Sequence, residues 1–177
     1  MNILKGIGIV ILALIALVLI AGLLLSKEYH VTREITINKP NQQTFDYIKM
    51  LRNQNSFNKW VMADPNMKRD YRGTDGTQGF VYAWDGNKDV GKGEQEIKSI
   101  VPNERLDMEI RFERPFKSVA TSFMTTEALA AGQTKVTWGF NGSMPYPFNA
   151  LKMFATSMLG KDLQTSLGNL KANLEKQ

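Results

Sequence analysis

Asp85, Asn87 and Asp89 stand at alternate positions in the stretch WDGNKDVGKGEQE (Trp84 to Glu96), and Glu96 lies eleven residues after Asp85. Oxygen ligands at that spacing are calcium chemistry. An EF-hand loop takes ligands from its first, third and fifth positions and closes with a bidentate Glu at the twelfth. Such a loop also needs glycine at its sixth position for a sharp bend, and Val90 stands there. Period-two patterns flank the segment where an EF-hand has helices. Asp85-Gly86-Asn87 and Gly91-Lys92-Gly93 supply residues that tolerate positive φ, which is hairpin chemistry. The stretch is expected to be a turn, with no metal.

Other chemistry is sparse. There is no cysteine, and the single His30 follows an apolar N-terminal run, far from any serine in a nucleophile context. A Ser-His-Asp arrangement would have to use that histidine. No G-x-G-x-x-G, P-loop or H-E-x-x-H occurs, and Gly91-Lys92-Gly93 is half of a dinucleotide fingerprint with no helix pattern after it. No cofactor is expected. Tyr82 shares a face with Phe80 and Trp84, which points its hydroxyl inward. As a general acid it would need substantial tuning from an ordinary pKa of about 10. The other reading is a core tyrosine bonded to backbone or water. Glu109 and Arg111 alternate with apolar residues and read as a solvated outer face.

These side chains must be positioned by a chain of two unlike parts. Gly6 to Leu25 runs GIGIVILALIALVLIAGLLL, without a charge. A helix of that length spans about 30 Å, the thickness of a bilayer's hydrocarbon core. A secretory signal has a shorter apolar region of about 7–15 residues and a small-x-small cleavage site, and none occurs near Leu23–Lys27. Residues 1–26 are therefore expected to be a single-pass membrane anchor, contacting the bilayer through residues 6–25. Lys5 precedes the helix and Lys27 and Arg33 follow it, so the positive-inside rule does not decide the side. The short basic N-terminal tail, easily retained in the cytoplasm, favours an extracytoplasmic domain as the expectation. Every acid, and every Lys and Arg except Lys5, lies in residues 27–177. The net charge of +5 is thus +4 in that part. Those charges are scattered, with no basic run, and no nucleic-acid partner is expected.

Residues 27–177 are enough for one domain. YHVTREITI reads as a strand from Tyr29, broken at Asn38-Lys39-Pro40. NQQTFDYIKML follows with helical spacing, then a weakly marked helical piece up to Trp60. KRDYRG, GFVYAW, EQEIKSIV, LDMEIRFE, SVATSFMTTEAL and TKVTWGF read as strands separated by turns. LDMEIRFE alternates most clearly, as expected of an antiparallel sheet with one wet face. From Pro147 onward, Leu151, Phe154, Ala155, Met158, Leu159, Leu163, Leu167, Leu170 and Leu174 suggest one long amphipathic helix. Gly160 and Gly168 inside it mark either close packing or a bend. One helix must bury its stripe on the sheet's inner face, so the fold class is α+β, a sheet gripping a helix.

That order resembles the START-like, or SRPBCC, superfamily and its bacterial polyketide cyclase/dehydrase-like branch. The matching stretches are ITINKPNQQTFDYIKMLRNQNSFNKW, GFVYAWDGNKDVGKGEQEI, TKVTWGF and LGKDLQTSLGNLKANLE. They cover about residues 29–175, and their order and spacing carry the likeness more than any single motif. The resemblance implies a helix-grip fold, a curved antiparallel sheet of six or seven strands around the C-terminal helix. It also implies a deep apolar cavity for a lipid, sterol, polyketide or other hydrophobic small molecule. Within that picture the candidate ligand-binding residues are Phe80, Tyr82, Trp84, Met108, Trp138, Phe154 and Met158, with Leu163 and Leu167 closing the grip. Adaptable Met and aromatic side chains suit irregular hydrophobic ligands. Three functions compete: a membrane-anchored binding protein for a hydrophobic small molecule or lipid, a cyclase or dehydratase, and a cavity-free module that recruits a protein.

Overall fold

The computed structural model describes residues 2–130 and 132–176. Helix α1 (Asn2–Leu24) comes first and is long and apolar enough to cross a membrane by length and composition. Strand β1 (Glu28–Ile37) follows, then helix α2 (Asn41–Ile48), a 3-10 turn (Leu51–Ser56) and the short helix α3 (Lys59–Met62). Six further strands run β2 (Lys68–Arg72), β3 (Val81–Asp85), β4 (Lys92–Val101), β5 (Arg105–Arg114), β6 (Ser118–Ala130) and β7 (Gln133–Ser143). A 3-10 turn (Phe148–Leu151) leads into helix α4 (Lys152–Glu175).

The seven strands form one antiparallel sheet in the order β1-β7-β6-β5-β4-β3-β2, curved around α4. Its connections are the hairpin turns that the Gly, Asn and Pro positions announce, and only β1 crosses over to pair with β7. Period-two burial selects the inner face: Leu106, Met108 and Ile110 of β5 point inward with Val136, Trp138 and Phe140 of β7. On the outer face Arg111 bonds Glu94, Glu96 and Glu109, so these residues form a half-buried ionic cluster rather than isolated solvated charges. The hydrogen bond from Arg111 holds the Glu96 carboxyl below its ordinary range.

The loop between β3 and β4 is a turn. Asn87 Oδ1 accepts the backbone N–H groups of Asp89 and Val90 at 2.9 and 3.1 Å. Asp85 pairs with Arg114, and Glu96 pairs with Arg111 and Lys98. Asp85, Asn87 and Glu96 thus commit their side-chain oxygens to three separate sets of partners. Gly91 has a φ of 72°, a left-handed conformation that glycine alone adopts without strain. A Cβ there would also overlap the Arg114 carbonyl oxygen of the neighbouring strand.

The apolar run of α4 departs from the expected single stripe. Leu163, Leu167, Leu170 and Leu174 are fully buried against the sheet, whereas Leu151, Phe154 and Met158 are exposed. At about 3.6 residues per turn, Phe154 and Leu163 are two and a half turns apart, on opposite sides of the helix. Met158 and Leu167 are related in the same way. The spacing rule followed locally linked residues whose drift around the axis carries them to different faces. Gly160 is buried, and a Cβ on it would overlap the guanidinium of Arg33, which enters from β1 beneath the helix. Close packing therefore explains Gly160, while nothing crowds Gly168. Polar side chains fix the helix to the segment before β2: Ser166 Oγ accepts Lys59 N–H, and Asn169 and Asn173 donate to the Phe57 and Ser56 carbonyls.

Candidate functional site

The grip is filled at one end and hollow at the other. At the far end Ile37, Phe45, Ile48 and Leu174 close the core. At the end where β1 begins, a cavity of about 360 Å³ remains between sheet and helix, within the range of about 300–1,000 Å³ used by small-molecule sites. The sheet supplies its floor through Tyr82, Trp84, Ile110, Phe112, Trp138 and Phe140. Leu159 of α4 covers it, and Trp60, Val61 and Met67 form the side wall. The rim carries Asp89, Val90, Arg114 and Pro115, so the β3–β4 turn that resembled a calcium loop borders the mouth.

The aromatic wall is mutually braced. Trp84 sits edge-on to Tyr82 at 6.2 Å and to Phe112 at 6.1 Å between ring centroids. Trp138 donates its indole N–H to Ser122 Oγ at 2.9 Å, and Ser122 in turn donates to the Gly139 carbonyl. That inner-face serine satisfies the one polar group a buried tryptophan brings. The Tyr82 hydroxyl donates to Asn55 Oδ1 at 3.2 Å. Burial, reinforced by neighbouring Tyr71, pushes its pKa up to about 12, and burial also raises that of Tyr29 at the wall. Both phenols are therefore neutral at ordinary pH.

Three amides sit among these apolar groups. Gln95 lines the cavity from β4 and is 6% exposed, while Gln54 and Asn58 approach from the 3-10 turn and the start of α3. Asn58 Oδ1 caps α3 by accepting Trp60 N–H at 3.0 Å. Its Nδ2 then donates to Gln54 Oε1 at 2.9 Å. This chain of bonds fixes the orientation of both amides. It leaves Gln54 Nε2 buried and, among the described residues, without a partner. An unpaired buried N–H costs roughly 1–3 kcal/mol, and it sits on a residue of the cavity wall.

Of the residues singled out from the sequence, Tyr82, Trp84 and Trp138 line this cavity. Phe80 and Met108 are buried on the same inner face but lie in the packed core, Phe80 stacked on Tyr71. Phe154 and Met158 stand outside it, 68% and 52% exposed, for the reason of helical drift given above. Gln95 was legible: it shares the period-two face of Ile97. Gln54 and Asn58 carried no such mark, since a short 3-10 turn has no sequence period of its own.

The sequence matches the family model described as polyketide cyclase / dehydrase and lipid transport over residues 28–175. The chain belongs to that family. No curated protein matches it in sequence. Solved structures similar to this family member include an aromatase/cyclase, ZhuI, from a Streptomyces species (TM-score 0.64, 12% identity, 84% of this chain and 94% of that one). A Mesorhizobium loti protein, MLL2253, gives a TM-score of 0.62 at 15% identity, covering 84% of this chain and 98% of the other. The di-domain ARO/CYC BexL gives 0.60 at 17% identity over 84% of this chain, which spans 50% of that larger protein. At these identities the likeness establishes the helix-grip fold that the family shares.

A titration tests the buried state of Tyr82. Its pKa is raised in the folded protein, so the stability tied to its neutral form is whole below the ordinary value of 10.0 and declines as pH climbs towards about 12. Unfolding free energies from chemical denaturation at pH 9 to 12 are expected to fall more steeply for the native chain than for Tyr82→Phe, by on the order of 1–2 kcal/mol. Parallel curves would show that the phenol ionises freely in the fold.

Proposed function

We propose that this protein is a membrane-anchored carrier or receptor, with residues 1–26 as tether and residues 27–177 holding a hydrophobic small molecule or lipid. The carrying observation is the cavity: apolar walls, ionisable groups of fixed charge only at the rim, and one unpaired amide donor at Gln54. Such a site favours a ligand with a largely apolar body and a neutral oxygen, such as a carbonyl, ester or hydroxyl, towards which the buried Gln54 amide turns to donate from Nε2. Tyr82, Trp84 and Trp138 supply the contact area, and Phe80 and Met108 belong to the packed core on the same face. The family's description, cyclase or dehydrase chemistry and lipid transport, supports a hydrophobic ligand class. The apolar length of α1 supports the tether, since a ligand of this kind is concentrated in the adjacent bilayer.

Native mass spectrometry of the full chain, released gently from a bacterial membrane, tests the reading. A reproducible adduct of small-molecule mass that organic solvent releases is expected, and repeated preparations carrying no such adduct, with none gained from a total lipid extract, would overturn it. With the ligand in hand, Gln54→Glu separates the donor from the packing. The new carboxylate still accepts from Asn58 but offers an acceptor where the amide offered a donor. Binding at pH 8 should fall about 10- to 100-fold, in line with the roughly 1–3 kcal/mol of an orphaned polar pair. Affinity should recover as acid protonates the new carboxyl and restores a donor. Unchanged affinity at pH 8 would remove Gln54 from ligand recognition.

A further inference from the structure

Outside α1, large exposed apolar side chains gather at one end of the domain. Phe116 is 74% exposed, Phe148 54%, Leu151 53%, Met153 81% and Phe154 68%. Two connections meet in it: the rings of Phe116, between β5 and β6, and Phe148, between β7 and α4, lie 6.4 Å apart. At the opposite end of the sheet, among the described residues, Val101 and Leu129 are the large apolar side chains left exposed. Contiguous apolar surface of this kind is rare on a protein that meets only water.

Helix α1 ends inside this patch. Asn149 is fully buried, and its Nδ2 donates to the carbonyls of Gly22 and Leu25 at 2.7 and 2.8 Å, groups that the end of a helix leaves unpaired. Lys152 Nζ donates to the Ser26 and Glu28 carbonyls at 3.0 and 3.2 Å. Tyr146 packs on Gly22 so closely that a Cβ there would come within 3.1 Å of its ring. Gly22 lies within the apolar stretch Lys5–Leu24. At about 1.5 Å per residue, Tyr146 and Asn149 therefore stand level with the last turn of that stretch, not beyond it.

We propose that this end of the domain seats in the bilayer surface and that the cavity opens there. The proposal rests on the reading of α1 as the anchor. Side chains level with the last turn of a spanning helix occupy the boundary of headgroups and acyl chains, where interfacial elements bury about 5–10 Å. Phe116, Phe148, Met153 and Phe154 supply the apolar contact, and exposed Lys27 and Lys117 border it, as residues that extend their amines to the headgroups. A bilayer fits better than a soluble partner because the anchor's own end is part of the patch, and Asn149 and Lys152 fix its orientation to the domain. Pro115 of the cavity rim is the neighbour of Phe116. A hydrophobic ligand can thus pass between membrane and cavity without crossing bulk water.

The chain contains no cysteine, so single cysteines can be introduced without altering any other position. The full chain in phosphatidylcholine/phosphatidylglycerol nanodiscs would carry a nitroxide at Leu14→Cys, Phe116→Cys, Phe154→Cys or Val101→Cys. Collisions with oxygen report lipid, and collisions with a water-soluble nickel chelate report solvent. The Phe116 and Phe154 sites are expected to resemble Leu14, rich in oxygen and shielded from nickel, while Val101 is open to nickel. If Leu14 is in lipid and both patch sites resemble Val101, the docking is overturned and the anchor stands. Nickel access at Leu14 removes the anchor and the docking with it. Patch labels shielded from both reagents and broadened by one another would identify an interface between two copies of the chain instead.

Discussion

Trp84→Ala is expected to leave the domain folded and to abolish most of its ligand binding. The indole is half-buried, braced by Tyr82 and Phe112, and faces the hollow end of the grip rather than the packed end. Its removal widens an existing cavity, so the stability cost should stay below the roughly 3–5 kcal/mol of truncating a fully buried large aromatic. A ligand that covered about 100 Å² of the ring would lose about 2.5 kcal/mol, on the order of fiftyfold in Kd. The check is ligand occupancy by native mass spectrometry, set beside the melting profile of the same sample. A variant that kept full occupancy until it melted would sink the assignment of Trp84 to the site.

Leu167→Ala should have the largest effect on stability. Leu167 is completely buried at the centre of the grip, and the rigid sheet opposite cannot collapse into the space it leaves. Such a truncation costs about 2–5 kcal/mol, a large share of the roughly 5–15 kcal/mol that holds a typical domain folded. Phe154→Ala, thirteen residues earlier on the same helix, removes a larger side chain from the outward face and should change folding stability by no more than about 0.5 kcal/mol. Chemical denaturation of both variants in nanodiscs, followed by near-ultraviolet circular dichroism, compares them directly. Equal losses would contradict the division of α4 into a gripped face and an outward one.

That division shows where sequence reasoning worked and where it stopped. Strands were readable because their side chains alternate strictly, so one apolar residue in two declares both the element and its buried face. LDMEIRFE and TKVTWGF could hardly be anything else, and the turn at Asp85–Gly93 followed from the wrong residue at one position of a metal loop. The order of the elements, with the resemblance it carried, supplied the helix-grip class. In α4 the same logic failed at the level of the face, because small angular offsets accumulate along a helix and chemistry alone does not record them. Phe154 and Met158 were apolar for a reason, but the reason lay on the side away from the cavity.

Composition and period are local properties, and by itself the sequence determined what they encode: an apolar N-terminal helix, an antiparallel sheet, a long closing helix, and the lack of any nucleophile or cofactor motif. The tertiary structure alone decided which end of the grip is hollow, that Gln54 is left with an unpaired donor, and that Asn149 ties α1 to the domain at an apolar patch. Each of these depends on groups far apart in the chain meeting at ångström distances. A cavity is the volume that many side chains jointly fail to fill, and an unpaired amide is defined by what does not come within reach. Neither quantity belongs to any single residue or to any local spacing.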